Sequence, residues 1–263
     1  MDSVNVENER SYFILGGSVV GPSHVQRSVP CQDAAAFEVL PFGLAVLAVA
    51  DGAGSAQCSD IGAQTAVKAV VDNLASEMSQ ASMSEANLHA VVSVLAGRAR
   101  SAVEQKSQEL GCALRDLAST LVVAILREDS IVVAHIGDGG VVIKTAGGLN
   151  VISPPEESEY ANETTFLTGE NWQKSLRLSS LASGVQGAAV FTDGCQRAAL
   201  LREGDGWIAG ERFLGELFSY ADEIADPQEG TQDLMGLLRS AKVCENCDDD
   251  KTLLLAVRKL RAL

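Results

Sequence analysis

The residues able to do chemistry in this chain are aspartates, and they share one local setting. The runs LAVLAVADGAGS, IVVAHIGDGG and AAVFTDGC each close an apolar stretch on an aspartate, Asp51, Asp138 and Asp193. CDDDKTLLLAV opens such a stretch just after Asp249, and Asp33 opens another behind Cys31 and Gln32. A buried strand holds a carboxylate rigidly, and the glycines that follow, Gly52, Gly139 and Gly194, let the backbone turn and a ligand come close. One Asp-Gly after a strand is ordinarily a turn. Several strand-end carboxylates brought together repel unless cations lie among them, and hard divalent ions such as Mg²⁺ or Mn²⁺ prefer oxygen ligands. The set therefore points to metal-assisted chemistry.

Other chemistries fit less well. The three histidines, His24 on an N-terminal loop, His89 on a helix face and His135 inside a strand, have core or surface roles as their default reading. The chain has no Gly-x-Ser-x-Gly nucleophile elbow, no Gly-x-x-x-x-Gly-Lys-Ser/Thr phosphate loop and no Gly-x-Gly-x-x-Gly fingerprint. None of its cysteines stands at the spacing to an arginine that a cysteine-based phosphatase needs. Cys244 and Cys247 form a Cys-x-x-Cys pair, but zinc takes about four ligands and no complementary pair stands nearby.

The charge balance narrows the partners. With 35 Asp and Glu against 20 Lys and Arg, a net charge of −15, the chain opposes the anionic surface of a duplex or a membrane, so neither is expected as a partner. Met1 to Arg10 lacks the basic start and apolar core of a signal peptide, no apolar run is long enough to span a bilayer, and the six cysteines form no disulfide framework. These features predict a cytoplasmic protein.

The elements that must position the aspartates follow from periodicity. Tyr12 to Val20, Ala34 to Leu40 and Leu44 to Ala50 read as strands in antiparallel hairpins. Ser59 to Glu77 and Ser84 to Glu109 place alanine, valine and leucine at helical spacing, with Asp60 and Ser84 as N-cap or first-turn residues. Ser119 to Arg127, Ile131 to Ile136 and Val141 to Lys144 then read as a β-meander. A polar stretch, residues 153–180, lacks periodicity and reads as a long flap-like excursion with a short strand at Thr165 to Thr168. A strand at Ala188 to Thr192, helices near Glu211 to Glu223 and Thr231 to Ala241, and a strand at Thr252 to Val257 complete the chain. Two packed sheets covered by helices are expected, in one domain over residues 1–263.

In these motifs the sequence resembles the metal-dependent Ser/Thr protein phosphatases, the PPM family, and within it the compact bacterial members. The matching segments run in order: Gly21 to His24, Gln32-Asp33-Ala34, Ala50-Asp51-Gly52 with Gly54 and Ser55, Ser119-Thr120, Gly137-Asp138-Gly139, Thr192-Asp193-Gly194 and Asp249-Asp250-Lys251-Thr252. The resemblance implies an α+β fold, a four-layer α-β-β-α sandwich of two antiparallel sheets flanked by helices. It implies hydrolysis of phosphoserine and phosphothreonine in proteins with two or three Mn²⁺ or Mg²⁺ ions, and a Ser/Thr kinase as counterpart. Asp51 would bridge two ions, the Gly52 carbonyl would serve one of them, Asp193 and Asp249 the other, and Asp138 with Asp193 a weaker third. Asp33 would hold the attacking water. Two departures stand out: Gln32 where many members have Glu, and Ala53 where eukaryotic members have a histidine. The family's phosphate-holding arginine has no clear counterpart, and His24 or Arg27 could serve in its place. A binding-only pseudophosphatase and a small-molecule phosphatase are the alternative readings.

Overall fold

Strands that are apolar at every position need cover on both faces, and this fold supplies it. The computed structural model describes residues 10–41, 43–80, 85–156, 164–245 and 247–260. In chain order its elements are β1 (Arg10–Val19), α1 (Pro22–Arg27), β2 (Ala34–Leu40), β3 (Leu44–Ala50), α2 (Ser59–Gln80), α3 (Glu85–Leu110), β4 (Leu121–Arg127), β5 (Ser130–Ile136), β6 (Gly140–Thr145) and β7 (Gly148–Ser153). There follow α4 (Trp172–Ser175), β8 (Arg177–Leu181), β9 (Gly187–Phe191), α5 (Gln196–Ala199), β10 (Leu200–Glu203), β11 (Gly206–Ala209), α6 (Glu216–Glu223), α7 (Pro227–Leu238), α8 (Ala241–Cys244) and β12 (Lys251–Leu260).

Two five-stranded antiparallel sheets carry the fold, in the orders β2-β3-β4-β5-β8 and β1-β12-β9-β6-β7. Because successive side chains leave a strand on opposite faces, β3 feeds two cores at once. Ala45, Leu47 and Val49 point between the sheets, where they join Val122, Val141, Val190 and Leu254. Leu44, Val46, Ala48 and Ala50 point outward against α2 and α3, which bury Ala63, Ala66, Val70 and Leu74, and Val91, Leu95, Ala99 and Val103. The alanines along these helices let them lie close to the sheet. On the far side, Leu15, Phe191, Leu253 and Leu255 pack on Leu217, Phe218, Leu234 and Leu238 of α6 and α7. The result is the expected α-β-β-α sandwich.

Several local expectations change. The meander does not exist: β4 pairs with β5, but β6 joins the other sheet beside β9 and β7. The segment Gly137 to Gly139 is thus a crossover between sheets and not a hairpin turn. Gly137 sits at φ +105, and a Cβ there would lie 2.5 Å from Thr120 Cγ2, so both conformation and space call for glycine. Likewise β2 and β3 form a hairpin, while β1 pairs with the last strand, β12. Periodicity identifies a strand but carries no information about a distant partner.

The excursion expected over 153–180 is shorter, because Ser153 ends β7 and Arg177–Leu181 forms β8 at the edge of the first sheet. Thr165 to Thr168 is not a strand. The sequence offers no expectation of strand β7 or of the hairpin β10–β11; each strand is short, 4 to 6 residues. Ser84, the expected N-cap, and part of the N-terminal stretch from Met1 to Arg10 lie outside the described residues.

Gly137→Ala should cost about 1–3 kcal/mol through forced repacking at the crossover. Urea unfolding checks this; an unchanged midpoint would mean that the crossover tolerates a side chain.

Candidate metal centre

One end of the sandwich gathers the strand-end aspartates. Asp51 leaves β3, Asp138 occupies the crossover after β5, Asp193 leaves β9, and Asp249 lies just ahead of β12. All four line one cavity of about 300 Å³, together with His24, Arg27, Gln32, Thr164 and Phe166. Carboxylate oxygens of Asp51, Asp138 and Asp193 all lie within 4.8 Å of one another.

Hydroxyls fix these carboxylates or the backbone that bears them. Thr120 clasps the first: its backbone N–H donates to the Asp51 carbonyl at 2.8 Å, and its Oγ1 lies 2.9 Å from the Asp51 N–H, which donates to it. Asp33 is buried, and its Oδ2 accepts from Thr192 Oγ1 at 2.7 Å and Thr252 Oγ1 at 2.8 Å, so one carboxylate is held between two strands of the second sheet. Asp138 Oδ2 accepts from Thr164 Oγ1 at 2.8 Å. Glycines permit the close approach: a Cβ on Gly52 would fall 2.6 Å from the Gln32 carbonyl oxygen, and one on Gly194 would fall 1.8 Å from that of Asp250. The buried Lys251 donates from Nζ to the Asp249 carbonyl at 2.7 Å, which braces the segment that carries Asp249.

The electrostatics are those of a site built for cations. Burial pushes the Asp33 carboxyl up to about 7, against the two threonine hydrogen bonds, with Asp250 and Asp193 adding to the rise. Burial, then Asp33, Asp193 and Asp138, raises Asp51 well above the ordinary carboxylate range, and burial with Asp138 raises Asp193 to about 6. Asp138 Oδ1 is buried with no hydrogen-bond partner. A buried anionic oxygen left unpaired is costly. A divalent cation among Asp51, Asp138 and Asp193 would satisfy that oxygen and reverse the mutual repulsion, so the residues present fit such an ion.

The site residues named from sequence are not equally placed. Asp138 stands in the close trio with Asp51 and Asp193, while Asp249 is exposed and groups instead with His24 and Asp250. His24 is not on a loop: it is buried on α1, with Nδ1 2.8 Å from Asp250 Oδ2. Arg27, on the same helix, is exposed and donates to Ser23, from Nε to its carbonyl and from Nη2 to its Oγ. Gln32 donates its backbone N–H to Asp250 Oδ2 at 2.6 Å and lines the cavity. Thr120, Thr192, Asp250 and Thr252 stand in the sequence as parts of the ordered motifs, with nothing that marks each one singly as a site residue. Only Thr192, beside Asp193, and Thr252, three residues after Asp249, stand near a strand-end aspartate in the sequence, whereas Thr120 lies 69 residues from Asp51. Thr164 carries no sequence signal, since it belongs to the aperiodic excursion. His89 and His135 have the expected structural settings, bonded to Ser180 Oγ and Ser153 Oγ respectively.

A helix-flanked double sheet with a carboxylate cavity at one end defines a hydrolase that works through bound cations. The family model described as Protein phosphatase 2C matches residues 20–239, and the chain belongs to that family. It is 32% identical over 256 residues to Serine/threonine-protein phosphatase 3 of Escherichia coli (strain K12), covering 94% of this chain and 98% of that protein. Among solved structures, the S. agalactiae serine/threonine phosphatase matches with a TM-score of 0.61 at 16% identity, over 94% of this chain and 99% of that one. The catalytic domain of the serine/threonine protein phosphatase PstP, solved with 2 manganese ions, matches with a TM-score of 0.60 at 17% identity, over 95% and 99%. At such identities the two structures support the fold.

A carboxyl whose folded pKa is raised stabilises the protein below the unfolded value, near 4, and that contribution is lost as pH rises through the folded value, here about 6 to 7. The metal-free protein should therefore melt lower at pH 7.5 than at pH 5.5. Mn²⁺ needs the ionised carboxylates, so its stabilising effect should be larger at pH 7.5. Differential scanning fluorimetry at the two pH values, with and without Mn²⁺, decides; equal shifts would detach the metal from these groups.

Proposed function

We propose that this chain is a protein-serine/threonine phosphatase that hydrolyses phosphoserine and phosphothreonine side chains with Mn²⁺ or Mg²⁺ as cofactor. The observation that carries the reading is the trio Asp51, Asp138 and Asp193, with its buried unpaired oxygen, in a cavity also lined by Asp249. Two or three such ions, when bound, lower the pKa of water and offset negative charge on a phosphoryl group. Asp51, Asp193 and Asp249, with the Gly52 carbonyl and the Gln32 amide, would hold the principal ions, and Asp138 with Asp193 would hold a weaker third.

The chain's own groups supply the rest. Asp33 has Oδ2 committed to Thr192 and Thr252, which leaves Oδ1 to accept a hydrogen bond from the attacking water and orient it. His24 and Arg27 border the cavity and are the candidates to grip the substrate phosphate. Thr164 and Phe166 bring the excursion between β7 and β8 to the cavity rim, so this flap, in one catalytic domain, contributes to substrate choice. A phosphoprotein, with a Ser/Thr kinase to generate it, is the partner that follows. Among the described residues no helix is long and apolar enough to cross a membrane, and all six cysteines are unpaired, which supports a reducing, cytoplasmic setting.

Purified protein should release phosphate from a phosphothreonine peptide in Mn²⁺ or Mg²⁺ and stop in excess EDTA. Asp51→Asn should lower kcat by about 100-fold or more, in line with losing a stabilising group worth about 3 kcal/mol, while the circular dichroism spectrum is kept. Activity that survives EDTA would refute the metal mechanism, and a near-normal Asp51→Asn enzyme would refute the assignment of that ligand.

A further inference from the structure

The hydrogen bonds converging on Asp250 exceed what a residue beside a metal ligand needs. Asp250 is 2% exposed. Its Oδ1 accepts from the Gly21 N–H at 2.7 Å, and its Oδ2 accepts from the Gln32 N–H at 2.6 Å and faces His24 Nδ1 at 2.8 Å. Both oxygens are thereby taken by protein donors, which sets Asp250 apart from its neighbour Asp249. Ser23 N–H also donates to the Asp248 carbonyl at 3.0 Å, and a Cβ on Gly21 would fall 2.2 Å from the Asp249 carbonyl carbon, so the start of α1 is seated directly on the segment Asp248 to Asp250. Charged groups buried this way are costly unless fully hydrogen-bonded, and this one is.

We propose that Asp250 is a positioning residue that fixes the His24 ring so that its Nε2 donates to a phosphoryl oxygen of the substrate, making His24, and not Arg27, the residue that grips phosphate. The proposal rests on the phosphatase reading and deepens it. An ionised carboxylate already accepting a backbone N–H can only accept from His24, which places a proton on Nδ1 and leaves Nε2 at the other end of the ring. His24 is 5% exposed, yet it lines the cavity that holds the aspartates. A ring N–H given to a phosphoryl oxygen is a charge-assisted hydrogen bond, the kind of contact that an arginine would make elsewhere. Arg27 lines the same cavity but is exposed, and its guanidinium bonds only to Ser23 of its own helix among the described residues, so no second segment of the chain fixes it as Asp250 fixes His24. Gln32 shares the same anchor through its backbone, so Asp250 also sets where the Gln32 side chain stands at the cavity wall.

The test is a double-mutant cycle read by inhibition with inorganic phosphate and by KM for a phosphothreonine peptide. His24→Ala should weaken both by about 10- to 100-fold, the loss of one hydrogen bond to a charged group, with the Mn²⁺ affinity unchanged by calorimetry. Asp250→Asn should weaken phosphate binding in the wild-type background and add less than about twofold in the His24→Ala background. His24→Arg should recover part of the loss. An effect of Asp250→Asn that is the same in both backgrounds would make its role purely structural and overturn the proposal, as would a loss that follows Arg27→Ala instead of His24→Ala. Should Asp250→Asn not fold, the ring proton is read in the unmodified Mg²⁺-loaded protein: nitrogen-15 spectra should show His24 protonated at Nδ1, with phosphate shifting Nε2. A neutral ring protonated only at Nε2, or an Nε2 indifferent to phosphate, would overturn it. Wild-type protein that hydrolyses no phosphoester refutes the phosphatase reading itself, an outcome separate from these.

Discussion

Mutual repulsion among carboxylates crowded at one end of the sandwich is the constraint around which the rest of this structure is arranged. Burial and their proximity push Asp51, Asp33 and Asp193 above the ordinary range. Left alone, these groups would swing outward into water. Asp51 and Asp193 are held because each stands at the mouth of a fully buried strand, β3 and β9, and Asp33 is held by the hydroxyls of Thr192 and Thr252. The cores between the sheets and beneath both helical layers thus act as the rigid frame that an oxygen-rich cation site requires.

Threonine hydroxyls are the second level of control. Thr120, Thr192, Thr252 and Thr164 each donate to, or accept from, a site aspartate, and a hydroxyl can serve both ways without adding charge. Such bonds orient a carboxylate while leaving its second oxygen for a ligand. Asp33 shows the principle: two hydroxyls take Oδ2, and no hydroxyl of the described residues takes Oδ1. Asp250 is the contrast, because both its oxygens are consumed by the N-terminal segment, so it works on protein and not on a cation.

The N-terminal helix and the last strand are far apart in sequence and meet only here. Strand β1 pairs with β12 along its length, which carries Gly21 and α1 to the Asp248–Asp250 segment. Pairing the first strand with the last therefore also brings His24 and Asp250 together on one side of the cavity. The crossover at Gly137 does the equivalent task for Asp138, delivering it between the sheets instead of at a hairpin tip.

Much of this was legible in the residues alone. Apolar runs ending in Asp-Gly marked the strands and their carboxylates, alanine-rich helical spacing marked α2 and α3, and the two-sheet sandwich followed, because local hydrophobic period and turn chemistry depend only on neighbours in sequence. What depended on distant contacts was not legible. The partner of β1, the transfer of β6 to the other sheet, the closeness of Asp138 to Asp51, and the role of Asp250 all arise from pairing between segments that no local pattern connects. The choice between His24 and Arg27 belongs there too. The two are three residues apart on one short helix, and only the fold, by setting a buried carboxylate from the far end of the chain against one of them, gives them different chemistry.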